Sequence, residues 1–248
     1  MNKYSFTSEK VTLADGTVLR RIVALRDIPR HGVKRGDVGG WLEKEENLSQ
    51  YGDAWVYGNA RVLGDAWVGG NAWVLGDARV YGNARVYGNA RVYGEARVSG
   101  NAWVLGEAWV YGKAKLFGTA EVAGSVYLRY GSARAPLTLR KTIAMSLGIT
   151  PSRGGTYTFY KKVFKRPDGT FYTDFQGKIT EYPVGQEVVV EDYDRDVTKS
   201  CAAGIHLADK DYDFQGNATL LCKVREEDVI CFLEGKVRVK RCFVVGEL

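Results

Sequence analysis

The residues of this 248-residue chain best suited to chemistry are few. His31 and His206 are its two histidines; Cys201, Cys222, Cys231 and Cys242 are its four cysteines. The stretch Cys201-Ala202-Ala203-Gly204-Ile205-His206 sets a thiol and an imidazole close together in the chain. A thiolate activated by a neighbouring imidazole is a nucleophile. No third residue to orient the histidine and no oxyanion loop accompany the pair, so a structural strand-turn with a satisfied histidine stands beside the catalytic reading. Zinc ligands come in paired short spacings, and these cysteines lack them. Cys222 and Cys231 fall in apolar runs and Cys242 alternates with Val244, the pattern of buried thiols. No metal site and no cofactor are expected.

Cations form the second group. Tyr160, Lys161, Lys162, Lys165 and Arg166, with Tyr157, Tyr172 and Phe175 nearby, interleave positive charge with rings. Single-stranded nucleic acid and nucleotide sites have this composition, and so does an amphipathic β-hairpin. The net charge of +6 is unevenly spread: residues 130–178 carry 9 basic and 2 acidic side chains, residues 179–248 carry 9 and 14. The basic island points to an anionic partner, or to the acidic stretch that follows it.

The elements that must position these groups are set by a repeat. Glycine falls at every sixth position from Gly52 to Gly124, thirteen times. Two residues after each comes alanine, from Ala54 to Ala120, with Val126 in the last unit. Two further on comes valine from Val56 to Val110, then Leu116, Val122 and Leu128. Residues two apart on a strand point to one side, so alanine and valine face in and the residue between them faces out. The glycine and the residue that follows it, most often Asp, Asn or Glu, make a corner, where glycine admits positive φ. Three strands and three corners close an 18-residue coil whose narrow axis admits alanine.

A period of 18 stacks outward residues in columns. One column reads Arg61, Arg79, Arg97, Lys115; a second Trp55, Trp73, Arg91, Trp109, Tyr127; a third Trp67, Arg85, Trp103, Glu121. The first is an anion-binding strip or a solvated polar face. Trp55, Trp67, Trp73, Trp103 and Trp109 are expected to be outward, and are either stacked on arginines of their own chain or buried against a second subunit or partner.

The repeat resembles the left-handed parallel β-helix of hexapeptide-repeat proteins. In the commonest hexapeptide pattern glycine directly follows the aliphatic; here it comes one residue later, which leaves a right-handed solenoid open. The resemblance implies a homo-oligomer, with a trimer favoured. Acyltransferases of that class use a histidine as general base, and the similar γ-class carbonic anhydrases use three on zinc. The repeat contains no histidine, so both activities are rejected. The Cys201-x-x-Gly204-Ile205-His206 core, with Lys236-Val237-Arg238-Val239-Lys240-Arg241-Cys242, looks like a domain of phage and prophage proteins that includes relatives of the phage rapid-lysis B protein. Gly36-Asp37-Val38-Gly39-Gly40-Trp41 leading into the repeats likewise resembles phage hexapeptide arrays. That family implies an origin and no activity.

The expected fold is mainly β, a left-handed parallel β-helix followed by a small β-rich α+β domain. Residues 1–50 would form an N-terminal cap, 51–130 the β-helix, 131–155 a connector with a short helix, and 156–248 the C-terminal domain. No apolar run approaches the roughly 18 residues of a membrane span. The start MNKYSFTSEK lacks a signal-peptide core, so the expectation is the cytoplasm, that of the host cell if the chain is phage-encoded. The expected function is a phage-derived, non-enzymatic binding scaffold, with a host protein or protein–nucleic-acid complex as partner and counter-defence as context. A sponge for a nucleotide signal and a nucleotide-acting enzyme using the C-terminal domain are the alternatives.

Overall fold

Each repeat folds into a two-residue strand, from Trp55–Val56 and Arg61–Val62 to Tyr127–Leu128, and glycine corners with φ between +59° and +75° join them. The computed structural model describes residues 2–175, 177–197, 199 and 201–248. It falls into two compact units, Met1–Lys141 and Thr142–Leu248. The fold is mainly β, a β-solenoid of about five turns with further β-rich sheets toward the C-terminus.

The first unit holds the solenoid. Strands 18 residues apart pair in parallel, Arg61 opposite Arg79 and Trp73 opposite Arg91, as the period requires. From Ala54 to Val122 the inward alanines and valines of the repeat line the interior at 0–2% exposure. Corners bond to the next rung as the strands do: Trp73 N–H donates to Ala90 at 2.9 Å and Asp77 N–H to Gly94 at 2.9 Å. This pairing leaves little room at most of the corner glycines. A Cβ on Gly100 would lie 2.8 Å from the Gly118 nitrogen, whereas one on Gly124 would meet nothing within 4 Å. Both sit at positive φ, so alanine at either costs about 1–2 kcal/mol in backbone strain. Gly100→Ala is expected to lower the unfolding free energy by about 1–3 kcal/mol more than Gly124→Ala in urea titrations, because only it pushes two rungs apart. Equal losses would show that backbone strain alone is at work.

The solenoid runs past the repeat at both ends. Val38–Leu42, inside the expected cap, pairs in parallel with Arg61–Val62, Trp41 opposite Arg61, and Leu48 bridges Val68. Ser132–Ala133 pairs with Lys115–Leu116 at an offset of 17. The strands Tyr4–Thr12 and Val18–Ala24 form an antiparallel hairpin that extends the same sheet.

Side chains satisfy the first-rung carbonyls that have no rung beneath them. Lys3 Nζ donates to the Ala54 carbonyl at 2.7 Å, and Asn47 Nδ2 donates to those of Gly64 (3.0 Å) and Ala66 (2.8 Å). Glu43 accepts the Gly64 N–H at 2.6 Å. An exposed strand edge would otherwise template pairing with another chain.

The second unit is a six-stranded antiparallel sheet with a three-stranded one. The six run in the order Lys178–Glu181, Phe171–Phe175, Thr156–Lys165, Ala218–Arg225, Arg241–Glu247, Glu187–Val189. The three are Ile205–Leu207, Lys236–Val239 and Val229–Leu233. Tyr157, Phe159 and Val163 from the longest strand join Leu220, Cys222, Val224, Cys242 and Val244 in one core. Among the described residues no helix is long and apolar enough to cross a membrane.

Candidate functional site

The arginine column is a ladder. Arg61, Arg79, Arg97 and Lys115 pair directly along one sheet, continued below by Trp41 and above by Ser132. Adjacent rungs stand about 4.8 Å apart. Arg61 is half-buried, the other three are exposed, and among the described residues none of the four makes an ion pair. Three other cations of this unit do find carboxylates: Lys44 meets Asp65 at 2.6 Å, Arg21 meets Glu9 at 3.2 Å and Arg26 meets Asp53 at 3.9 Å. Stacked cations at rung spacing repel by about 1 kcal/mol per pair even in water. The corner beside the ladder carries Asn59, Asp77, Glu95 and Lys113; Asn59 donates to Asp77 at 3.2 Å. At the upper end Arg97, Lys113, Lys115, Glu95, Gly131 and Ser132 line an open groove of about 350 Å³. Three cations against one carboxylate leave the groove with a net positive charge.

The tryptophans separate into two groups. Trp55, expected outward, is fully buried, because the N-terminal segment folds over it: its ring meets Tyr4 edge-on at 6.5 Å. Trp73, one rung up, is half-buried beneath His31, whose ring stacks on it at 5.0 Å and 24°. His31 Nε2 lies 3.1 Å from the Asn71 carbonyl, and burial pushes the imidazole below its usual pKa. Arg30 donates to Asn89 at 2.8 Å. The turn Pro29–His31 thus occupies the lower part of that face. Higher on it, Arg91 lies 4.6 Å over Trp109, and Tyr127 packs on the same indole at 4.9 Å. The third column stays open. Trp103 is 42% exposed, and Tyr87 sits between it and Trp67 at 6.3 and 6.4 Å. Trp67 folds back over Gly69, where a Cβ would lie 2.3 Å from its ring.

The basic-aromatic island is not gathered into one site. Lys161 is buried; its Nζ donates to the His206 carbonyl at 3.0 Å and lies 5.0 Å from the Tyr182 ring. Burial holds its ammonium down to a pKa of about 8. Tyr160 and Lys162 point to the opposite side of the strand and are half-buried. Lys165 pairs with Glu247 at 2.6 Å, and Arg166 pairs with Glu181 at 2.7 Å while lying over Tyr172 at 4.4 Å.

The Cys-x-x-Gly-Ile-His motif is organised by an arginine that sequence reasoning missed. Arg238 is buried and donates to the carbonyls of Lys199 (2.9 Å) and Asp196 (2.6 Å). Gly204, at φ +141°, makes room for it: a Cβ there would lie 2.8 Å from Arg238 Cγ. His206 contributes its carbonyl to Lys161 and faces Arg238 across the strand pair. Cys201 is exposed, 3.6 Å from Lys236 Nζ. Cys222, Cys231 and Cys242 are buried thiols. Among the described residues no His, Cys, Asp and Glu cluster could hold a metal.

The comparison with known families falls on the rungs just described. The chain is similar to the YdcK beta-solenoid repeat. That family's model matches residues 54–70 and 78–94, which include Arg61, Trp67, Arg79, Arg85 and Arg91. No curated protein shows significant similarity to the chain.

Proposed function

We propose that this chain is a non-enzymatic binding scaffold and that its arginine ladder docks on the anionic surface of a macromolecule. The observation that carries the reading is four cations in register along one sheet, none of which makes an ion pair among the described residues, with a cation-rich groove at their upper end. Like charges held on one sheet cost free energy in the isolated protein, and an anionic partner converts that cost into attraction. The resemblance of the Cys201–His206 segment to phage and prophage domains supports a host macromolecule as partner and counter-defence as context.

The test uses the full chain and a fluorescent single-stranded oligonucleotide as the polyanion, with an acidic polypeptide in parallel. Arg61→Glu/Arg79→Glu/Arg97→Glu is expected to weaken binding at least a hundredfold. With the oligonucleotide it is also expected to flatten the dependence of log K on log salt by roughly 2, at about 0.7 per neutralised phosphate. Arg79 and Arg97 are exposed and Arg61 half-buried, all outside the solenoid core, so the circular dichroism spectrum should be unchanged. Unaltered affinity and salt slope in the triple variant would remove the ladder as the docking face.

A further inference from the structure

The open face built on Trp67, Arg85, Trp103 and Glu121 lies on a different sheet from the arginine ladder. Its pattern is symmetric about one rung. Arg85 stands one rung below Trp103 and Glu121 one rung above, directly paired through the backbone ladder. Both are exposed, and among the described residues neither makes an ion pair. The corner on one edge of the face carries Tyr81 one rung below this level and Phe117 one rung above, each 38% exposed. On the other edge the same two rungs carry Tyr87 and Ala123. Acid therefore mirrors base, ring mirrors ring, and small mirrors large.

We propose that this face joins two copies of the chain in an antiparallel, two-fold contact centred on Trp103. The axis lies in the interface along the strand direction, at the level of Trp103. It reverses rung order and keeps each edge of the face beside the same edge of the partner. Arg85 of each copy then meets Glu121 of the other, giving two identical ion pairs around a central pair of indoles. Tyr81 meets Phe117 on one edge, and Tyr87 meets Ala123 on the other. A single two-fold operator satisfies all of these contacts at once, as isologous interfaces require. Parallel copies meeting through this face would set Arg85 at the level of Arg85 and Glu121 at the level of Glu121, with like charges opposed. A partly exposed tryptophan ringed by polar groups is the composition of an interface centre. The dimer leaves both arginine ladders uncovered by this contact.

The experiment is sedimentation equilibrium with native mass spectrometry on the full chain across a concentration series. Wild type is expected to be a dimer. Arg85→Glu and Glu121→Arg each replace two attractive pairs by two repulsive ones, because symmetry doubles every change, and each is expected to raise the dimer Kd at least tenfold. The double variant Arg85→Glu/Glu121→Arg exchanges the charges and is expected to return the Kd to within threefold of wild type. Both positions face solvent between buried neighbours, so matching circular dichroism and melting curves establish folding for each variant. A monomer at all concentrations, a trimer, or a dimer that either single reversal leaves intact would overturn the proposal. Loss of oligonucleotide binding in the ladder triple variant, with the dimer retained, would keep the two readings separate.

Discussion

Trp55→Ala is expected to lower the unfolding free energy by about 3 kcal/mol, while Trp109→Ala, at the same repeat position three rungs higher, costs about 1–2 kcal/mol. Removing a fully buried tryptophan costs about 3–5 kcal/mol in lost transfer energy and cavity. Part is returned, because the buried Trp55 indole N–H has no hydrogen-bond partner among the described residues and its removal relieves a desolvation penalty of about 1 kcal/mol. Around this ring the cap is assembled. Tyr4 packs on its edge, a Cβ on Gly39 would lie 2.8 Å from it, and Lys3 reaches past it to the Ala54 carbonyl. Trp109 instead lies half-buried among Arg91, Tyr93 and Tyr127, and the cation–π contact is worth about 0.5–2 kcal/mol. Urea titrations of the two variants decide the matter. Losses equal within about 0.5 kcal/mol would mean that the N-terminal segment does not hold the first rung closed.

That contrast marks where the sequence stops being legible. The glycine period and the alternation of alanine with valine contain the rungs, the inward residues and the three outward columns, because each follows from local spacing. Trp55, Trp67, Trp73, Trp103 and Trp109 occupy one position of one repeat, and nothing within the repeat distinguishes the one that the N-terminal hairpin covers. What separates them comes from Lys3, Tyr4 and His31, which lie 51, 51 and 42 residues earlier in the chain than the residues they meet, Ala54, Trp55 and Trp73. The rung at Ser132–Ala133 is hidden for a different reason: its offset of 17 breaks the period while the pairing persists.

In the second unit a signal was present and a stronger one masked it. Tyr157, Phe159, Lys161 and Val163 alternate on a single strand, and three of these four are plainly core residues. Period two therefore places Lys161 inside, whereas the run of Lys161, Lys162, Lys165 and Arg166 suggests a basic patch. Arg238 repeats the lesson, flanked by Val237 and Val239 at 0% exposure. A buried guanidinium needs oxygen acceptors, and the carbonyls of Asp196 and Lys199 are supplied by a segment about 40 residues away. Pattern within one strand cannot display them.

Lys161 yields the second large effect, read through pH. Among the described residues its Nζ has one carbonyl acceptor and the rings of Tyr182 and Phe214, at 5.0 and 5.9 Å, with the thiols Cys222 and Cys242 as neighbouring titratable groups. Hydrogen bond and rings favour the ammonium, burial disfavours it, and the pKa of about 8 shows that burial prevails over them. The folded pKa is below the unfolded value of 10.5, so between these values the unfolded chain binds more protons than the folded one. Stability from this group therefore rises with pH across that window and is flat below pH 8. Tyr182, whose pKa burial raises, and Cys242, whose pKa its hydrogen bond with Cys222 and then burial raise, act in the opposite direction at the alkaline end. Comparison with Lys161→Met removes most of their contribution. The difference in unfolding free energy, wild type minus variant, is expected to rise by roughly 3 kcal/mol from pH 7 to pH 10.5, at about 1.4 kcal/mol per unit of pKa difference. At pH 7 the variant should match or exceed wild type in stability, because methionine fills the site without a charge. A difference that stays constant with pH would mean that the ammonium is hydrated in the fold and that the strand face carrying Tyr157, Phe159 and Val163 opens to water at Lys161.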